Sequence, residues 1–349
     1  FERFVSYWAR YARSFGFIVG KENRDYSLCT KAARKSLISI DHMNLVGITR
    51  ALLVPSFLVT QERNKKKEFA DIARACDVFS FRLKLFHRVD KYRKPLMELG
   101  NVVLDDSSNN CNDFAIGTLC GLLKDGNASL QEVIGELSNG RAKYYHDPDA
   151  KGWDLCYYFL YEYEDYCSGH PKNSWAWSDD QKQVTTQEHI LPQKHRVTGW
   201  LSQWRNEGIA DKFKHRLGNL VLTRDNTELG RKSIDKKLKL YKRQGSTQSE
   251  NQIKDYTDGR TWKQGNILSR EFNMMEFAVK RWQMPCCSDN GTIELGDLFK
   301  RIDGEPKAIN IEQNPQTFVK RETWVYPSGD IFIFEDNSFG RYYLINGIF

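Results

Sequence analysis

The spacing of apolar residues along the chain constrains its fold more than any other sequence feature. From residue 1 to about 145 these residues recur at intervals of three and four, as in LVGITRALLVPSFLV and FADIARACDVFSFRLKLF. This period is typical of amphipathic helices. We expect breaks near Pro55, near Pro95 and in the polar stretch at 105–113. Residues 1–180 are therefore predicted to form a mainly helical region with a supporting or regulatory role.

The pattern changes at about residue 180. The segment KQVTTQEHI is short and β-branched, RLGNLVLT predicts a second strand, and SIDKKLKLYKR predicts a basic helix. The order of strand, long loop, strand and helix defines a region at 181–285. A further predicted helix, ILSREFNMMEFAVKRWQ, closes this region before Pro285. Residues 286–349 alternate apolar and polar positions between hairpin-turn sequences and predict a small β-rich module. The predicted fold class is therefore α+β.

The first twenty residues and the cysteines argue against several classes of protein. The first twenty residues are interrupted by charges and predict neither a signal peptide nor a membrane span. Because the chain begins without methionine inside a predicted helix, we expect a fragment that lacks its N-terminal part. The eight cysteines include no C-x-x-C pair, and Cys286-Cys287 are the only close ones. This spacing argues against structural zinc and favours reduced, cytosolic thiols.

The stretch TTQEHILPQKH contains an adjacent acid and imidazole, Glu188 and His189. Alone, such a pair usually marks a strand end. Asn219 follows in RLGNLVL and Asn226 in TRDNTELG. If the two predicted strands pair as a hairpin and the helix starts near Asn226, a first-strand side chain faces one from the helix start. Carboxylate and amide oxygens from Glu188 and Asn226 would then suit one divalent cation, and the neighbouring imidazole could take a proton from water.

The segment resembles the HNH, or ββα-metal, nucleases. It is most similar to the variety in the C-terminal part of GmrSD-type modification-dependent (type IV) restriction enzymes. The resemblance rests on EHILP, a loop with Trp200 and Trp204, RLGNLVL, Asn226 and the Lys-rich helix. The later TWKQGNILSREFNMMEFAVKRW resembles the helix that usually closes the module, so the resemblance covers about 185–282. It implies a ββα-metal core between the helical region and the β-rich module.

The resemblance also implies a role for each motif residue. His189 would be the general base that activates water, and Glu188 with Asn226 would bind one Mg²⁺ or Mn²⁺. Asn219 would hold the loop and the histidine in position. Many relatives have Asp where this chain has Glu188, so its carboxylate reaches one methylene further.

The implied function is a divalent-metal-dependent DNA endonuclease that acts in the cytoplasm and nicks or cleaves foreign DNA, including phage DNA. From 189 to 245 the chain has 14 Lys or Arg against 5 Asp or Glu, an excess larger than the net charge of +7 for the whole chain. This favours a polyanionic partner. The residues placed to contact phosphates are Lys194, Arg231, Lys232, Lys236 and Lys237. Similar enzymes often carry a nucleotide-dependent sensing region ahead of the nuclease; no Walker-type loop occurs here, so we expect that region outside this chain.

Two alternatives remain open at this point. The motif could survive as an inactive scaffold in a nucleic-acid-binding interaction module, or the same fold could act as an RNase. Trp200 and Trp204 are expected to be local core, not platforms for base stacking. His195 and His215 flank the motif and could assist, although surface or capping positions are commoner for such histidines.

Overall fold

The computed structural model describes residues 2–20, 24–105, 111–138, 152–169, 185–285, 308–313, 320–325, 331–336 and 342–346. The chain divides into two compact units. One comprises Phe1–Val133 with Val279–Ile293, and the other comprises Ile134–Ala278 with Glu294–Phe349. The three-part division at 180 and 285 stays a prediction, and the compact units group the chain differently. None of the helices in the described ranges is long and apolar enough to cross a membrane.

The first unit is helical in its described residues, as the three-and-four spacing predicts. Phe17 stacks on Phe57 with ring centroids 4.2 Å apart, and Phe81 stacks on Trp282 at 3.7 Å. These stacks bury large apolar surfaces, which is the main contribution to the stability of such a core. The helices are α1 (Glu2–Val19), α2 (Lys31–His42), α3 (Val46–Glu62), α4 (Lys66–Leu85), α5 (Arg93–Asp105), α6 (Cys111–Asp125) and α7 (Leu130–Ser138), the last of which continues into residues of the second unit.

The break predicted at Pro55 is wrong, because α3 runs through this residue. A proline has no N–H, so the carbonyl of Ala51 loses its helical donor there. Gly100 of α5 approaches this carbonyl so closely that a Cβ would lie 2.1 Å from its oxygen. Tertiary packing of α5 on α3 therefore keeps a helix that local propensity would interrupt. Pro95 lies in the first turn of α5, where proline is tolerated.

The prediction of reduced cysteines is wrong for Cys120, which is disulfide-bonded. Spacing along the chain does not reveal which sulfur atoms a fold brings together. Cys29, Cys76, Cys156 and Cys167 are free. Burial raises the pKa of Cys156 to about 12 and raises that of Cys76 further, so both thiols stay protonated at neutral pH.

The second unit contains the predicted strand, long loop, strand and helix. Its two short strands pair antiparallel, with Glu188 opposite Val221 and His189 opposite Leu220. The elements are α8 (Gly152–Cys167), β1 (Thr186–His189), α9 (Glu207–Phe213), β2 (Leu220–Thr223), α10 (Asn226–Leu229), α11 (Ile234–Tyr241), α12 (Gln248–Asn251) and α13 (Gln264–Trp282), the last of which runs on into residues of the first unit.

Four further strands follow near the end of the chain and pair antiparallel in chain order. They are β3 (Ala308–Gln313), β4 (Lys320–Val325), β5 (Ile331–Asp336) and β6 (Tyr342–Asn346). The sequence predicts hairpin turns at Pro-Ser-Gly-Asp, residues 327–330, and at Glu-Asp-Asn-Ser, residues 335–338. The first lies outside the described residues, and of the second only Glu335 and Asp336, the last residues of β5, are described. Helices and antiparallel sheets together make the chain α+β, as predicted.

Gly218 lies in the short turn before β2, where the backbone passes close to α13. A Cβ on this residue would lie 2.0 Å from the carbonyl oxygen of Ile267 and 2.9 Å from the Cβ of Glu271. The buried Arg270 of α13 donates hydrogen bonds to the carbonyls of Gly218 at 2.9 Å and Leu220 at 2.7 Å. The glycine of RLGNLVL is therefore required because no side chain fits between the turn and the helix.

We expect Gly218→Ala to lower the free energy of unfolding by about 1–3 kcal/mol, because the added methyl overpacks a buried contact with backbone. The matched control is Gly117→Ala in α6, where an added Cβ meets nothing within 4 Å. That change should stabilise the chain by about 0.5–1 kcal/mol. Urea denaturation of both variants checks this, and equal effects of the two would contradict the close approach at Gly218.

Candidate active site

Glu188 and His189 end β1, and both residues are only 5% exposed. Successive side chains of a strand point to opposite faces. The two motif residues therefore leave β1 in different directions, and each meets a different partner. Glu188 contacts a lysine of α11, whereas His189 contacts a histidine from the loop before β2.

The partner of Glu188 is Lys237, whose side chain is wholly buried. Its ammonium group donates to Glu188 Oε1 and, at 2.8 Å, to the carbonyl oxygen of His189. Burial raises the pKa of Glu188, and the charge and hydrogen bond of Lys237 oppose this rise. Burial likewise lowers the pKa of Lys237, opposed by Glu188. One ammonium group thus ties both motif residues to α11.

The partner of His189 is His215. The Nε2 of His189 lies 3.2 Å from the Nδ1 of His215, and the two rings are nearly perpendicular. Both side chains are buried, as is that of His195, so the surface position expected for the two flanking histidines is wrong. The pKa of Asp211 is lowered by a hydrogen bond to Lys214 and, to a smaller extent, by the charges of His195 and His215.

Asn219 is completely buried and uses its amide group in four hydrogen bonds. Its Oδ1 accepts from the Leu191 N–H at 2.8 Å and from the indole N–H of Trp262 at 2.9 Å. Its Nδ2 donates to the carbonyls of Leu191 at 3.0 Å and Lys214 at 2.8 Å. The amide joins the loop after β1, the loop before β2 and the residues that lead into α13. This geometry supports the holding role predicted for Asn219.

Asn226 is the first residue of α10, and its Nδ2 donates to the carbonyl of Gln187 at 2.9 Å. Because a carbonyl can only accept, the amide nitrogen must face β1, and Oδ1 points away from this bond. Asn226 is thereby held beside the residue that precedes Glu188, as the predicted hairpin requires. The described ranges contain no group of three or more His, Cys, Asp or Glu side chains that could hold a metal ion.

Four of the five predicted phosphate contacts have exposed side chains: Lys194, Arg231, Lys232 and Lys236. Lys237 does not fit the prediction, because a wholly buried ammonium has no surface to offer a phosphate. The sequence of the basic helix contains several closely spaced lysines and does not show which of them faces the interior. The predicted core position of the two tryptophans agrees with the structure: Trp200 and Trp204 are buried, and their indoles donate to the carbonyls of Lys232 and Trp262.

The structure adds two residues that sequence reasoning missed in this role, Lys237 and His215. Each is distant along the chain from its partner, by 49 residues for Lys237 and Glu188 and by 26 for His215 and His189. A histidine just before a buried Leu-Gly-Asn turn was the one signal that pointed to His215. Nothing in the sequence separated Lys237 from its basic neighbours.

Lys237→Met should lower the free energy of unfolding by about 3–5 kcal/mol, because it leaves the buried Glu188 carboxylate without its partner. The neighbouring Lys236 is exposed and gives the matched control, since Lys236→Met should change stability by no more than about 0.5 kcal/mol. Adding Glu188→Gln to Lys237→Met should recover part of the loss. Thermal and urea unfolding measure all three, and a neutral Lys237→Met would show that the pair is not buried as described.

The chain was compared with models of protein families. The model of the C-terminal domain of GmrSD restriction endonucleases matches residues 137–277, a segment that contains Glu188, His189, His215, Asn219 and Asn226. No curated protein and no solved structure matches the chain. The GmrSD resemblance predicted from the motif is confirmed. Residues 137–277 of this chain are therefore similar to the C-terminal domains of GmrSD restriction endonucleases.

Proposed function

We propose that this chain carries a divalent-metal-dependent DNA endonuclease that acts in the cytoplasm to restrict foreign DNA, with phage DNA as the natural target. The matched domain supports a nuclease role related to restriction. The observation that carries the finer proposal is the order β1, β2, α10 within that domain. It sets Asn226 against the backbone carbonyl of Gln187, the residue before Glu188, and this supports our proposal of an HNH, or ββα-metal, site.

His189 is the general base in this proposal. It takes a proton from water as the water oxygen bonds to phosphorus, and the bond between phosphorus and the 3′ oxygen breaks. A buried imidazole with one nitrogen on a fixed partner is well suited to this step, because its ring orientation is set before substrate arrives. Asn219 contributes by holding the loop that follows His189.

The donor set suits one Mg²⁺ or Mn²⁺. Asn226 offers the amide oxygen that points away from Gln187, and Glu188 offers the carboxylate oxygen that Lys237 does not hold. Hard oxygen ligands of this kind, completed by water and phosphate, are what these cations prefer. When bound, the cation would neutralise charge on the phosphate and on the leaving 3′ oxygen. Lys237 competes for Glu188, so Asn226 is the stronger of the two proposed ligands.

The exposed cations Lys194, Arg231, Lys232 and Lys236 would contact the DNA backbone. Such contacts give affinity and register without sequence choice. Choice of modified or foreign DNA would then lie elsewhere, in the helical region or in a nucleotide-dependent sensing region outside this chain.

His189→Ala should lower the rate of supercoiled plasmid nicking or cleavage by about 100-fold or more, the usual contribution of a general base. The matched control is His87→Asn, at an exposed left-handed position with φ of 55° that asparagine tolerates. Agarose gels report nicked and linear products, thermal unfolding gives the folded fraction of each variant, and DNA binding by the folded fraction should stay near wild type. Cleavage by His189→Ala at the wild-type rate would exclude His189 as the base.

A chelator should abolish cleavage, and added Mg²⁺ or Mn²⁺ should restore it. Asn226→Ala should raise the Mg²⁺ concentration for half-maximal cleavage by at least about tenfold, since even indirect partners of a metal site have effects of this size. Thr227→Ala, the exposed neighbour in α10, is the control and should leave that concentration unchanged. Parallel assays on single-stranded and duplex RNA separate a DNA endonuclease from an RNase. Activity that persists in chelator would contradict the metal requirement.

A further inference from the structure

The second unit contains a pocket of about 290 Å³, and none of the residues that line it belongs to the candidate site. The pocket is formed by the segment that leads into α9, the first turn of α9 and the start of α13. Its volume is at the lower end of the range for small-ligand sites, so it suits one small group. The lining combines two cations, Arg205 and Lys263, with amide side chains and the apolar residues Trp204 and Ile209.

The charge of this lining is wholly positive. None of the residues that line the pocket is acidic, and the side chains of Arg205 and Lys263 are exposed. Within the described ranges, neither cationic group has an ion-pair or hydrogen-bond partner. The acidic residue nearest to Arg205 in the sequence, Glu207, pairs with Arg196. Two cations in one pocket without a counter-charge favour an anionic ligand.

The backbone that carries the two cations is held in place before any ligand binds. The Oε1 of Gln203 accepts from the N–H of Trp262 at 2.7 Å, and the N–H of Lys263 donates to Asn266 Oδ1 at 2.6 Å. A site with fixed walls loses little conformational freedom on binding, and this favours affinity. The pocket is therefore preformed around its two cations.

Trp262 joins the pocket to the candidate site. Two pocket residues hold its backbone, because Gln203 accepts from its N–H and the indole of Trp204 donates to its carbonyl at 2.8 Å. The indole of Trp262 in turn donates to Asn219 Oδ1 at 2.9 Å. One residue thus spans from the pocket wall to the amide that holds the loop after His189. A nucleic-acid strand carries one phosphate per nucleotide, so it can present one phosphate to the site and another to the pocket.

We propose that this pocket is a second phosphate-binding site, in which Arg205 and Lys263 bind a phosphate group of a nucleic-acid strand other than the one that is cleaved. The choice of a nucleic-acid strand as the ligand rests on the proposed function. Guanidinium and ammonium groups both donate to phosphate oxygens, and the sugar of the same nucleotide would lie against Trp204 and Ile209. The sequence did not predict either cation as a phosphate contact, because the two are far apart along the chain and outside the basic helix.

DNA binding by the whole chain tests this proposal. Fluorescence anisotropy of a short labelled duplex, measured in chelator to prevent cleavage, gives the association constant at several salt concentrations. Its logarithm falls with the logarithm of salt concentration, with a slope of about −0.9 for each phosphate that is neutralised. Arg205→Ala/Lys263→Ala should make this slope less negative by about 0.9. Binding should weaken by about tenfold, the usual effect of losing hydrogen bonds between charged groups.

The matched control removes two other exposed cations of the same unit, Lys212 and Lys254, neither of which lines the pocket. Lys212→Ala/Lys254→Ala has the same net charge as the test variant and should keep the wild-type slope. Both double variants should unfold at the wild-type temperature, because Arg205 and Lys263 have no partner to lose in the described ranges. Equal slopes for the two double variants would overturn the proposal.

Calorimetric titration with deoxyadenosine monophosphate and with inorganic phosphate separates a strand from a free ligand. A pocket that binds one phosphate of a strand should bind these probes with a Kd of about 1 mM or weaker, because they lack the other contacts of the strand. Micromolar binding of the mononucleotide that is lost in Arg205→Ala/Lys263→Ala would identify a site for a free nucleotide and overturn the assignment to a strand.

Plasmid cleavage separates failure of this inference from failure of the proposed function. In an active enzyme, Arg205→Ala/Lys263→Ala should raise KM by about tenfold with kcat nearly unchanged, because the contact is made equally in the ground state and the transition state. If the wild type cleaves DNA but the double variant binds with the wild-type slope, the pocket proposal is wrong and the nuclease proposal stands. If neither DNA nor RNA is cleaved while the double variant still changes the slope, the phosphate site stands and the nuclease proposal is wrong.

Discussion

The site depends on one buried side-chain amide. Asn219 satisfies both of its N–H donors and both lone pairs of its oxygen with Leu191, Lys214 and Trp262. An aspartate could not donate and a leucine could do neither, and each would leave buried backbone groups unpaired at a cost of about 1–3 kcal/mol apiece. Because these partners come from three parts of the chain, the amide sets where the loop after His189 lies relative to the loop before β2.

The second constraint on the site is that two adjacent polar residues of β1 each have a buried polar partner. Glu188 and His189 point to opposite faces of β1, toward Lys237 and His215 respectively. Buried charge is tolerated only where it is paired, so Lys237 must remain on Glu188 or be replaced by another cation. The carboxylate of Glu188 is therefore both a member of the buried ion pair and a proposed metal ligand. His189, on the other face, is separated from this competition and contacts His215 instead.

Much of this arrangement could be predicted from local sequence. Short β-branched runs predicted β1 and β2. The Leu-Gly-Asn turn and Asn226 predicted that a helix, observed as α10, begins next to the pair of strands. Other expectations were wrong for one physical reason, namely that a partner distant in sequence decided them. Pro55 stays helical because Gly100 packs against α3. Lys237 is buried whereas the adjacent Lys236 is exposed, because Lys237 pairs with the carboxylate of Glu188, 49 residues earlier in the chain.

The sequence by itself determined the chemical inventory of the site and its order along the chain. An acid and an imidazole, a glycine-asparagine turn, an asparagine at a helix start and a basic helix are local facts, because propensity and spacing act over a few residues. Tertiary structure decided which groups are paired. His215 on His189, Lys237 on Glu188 and the Asn219 amide among three segments are contacts between residues far apart in sequence, and burial makes each obligatory, since polar groups removed from water must find partners in the protein.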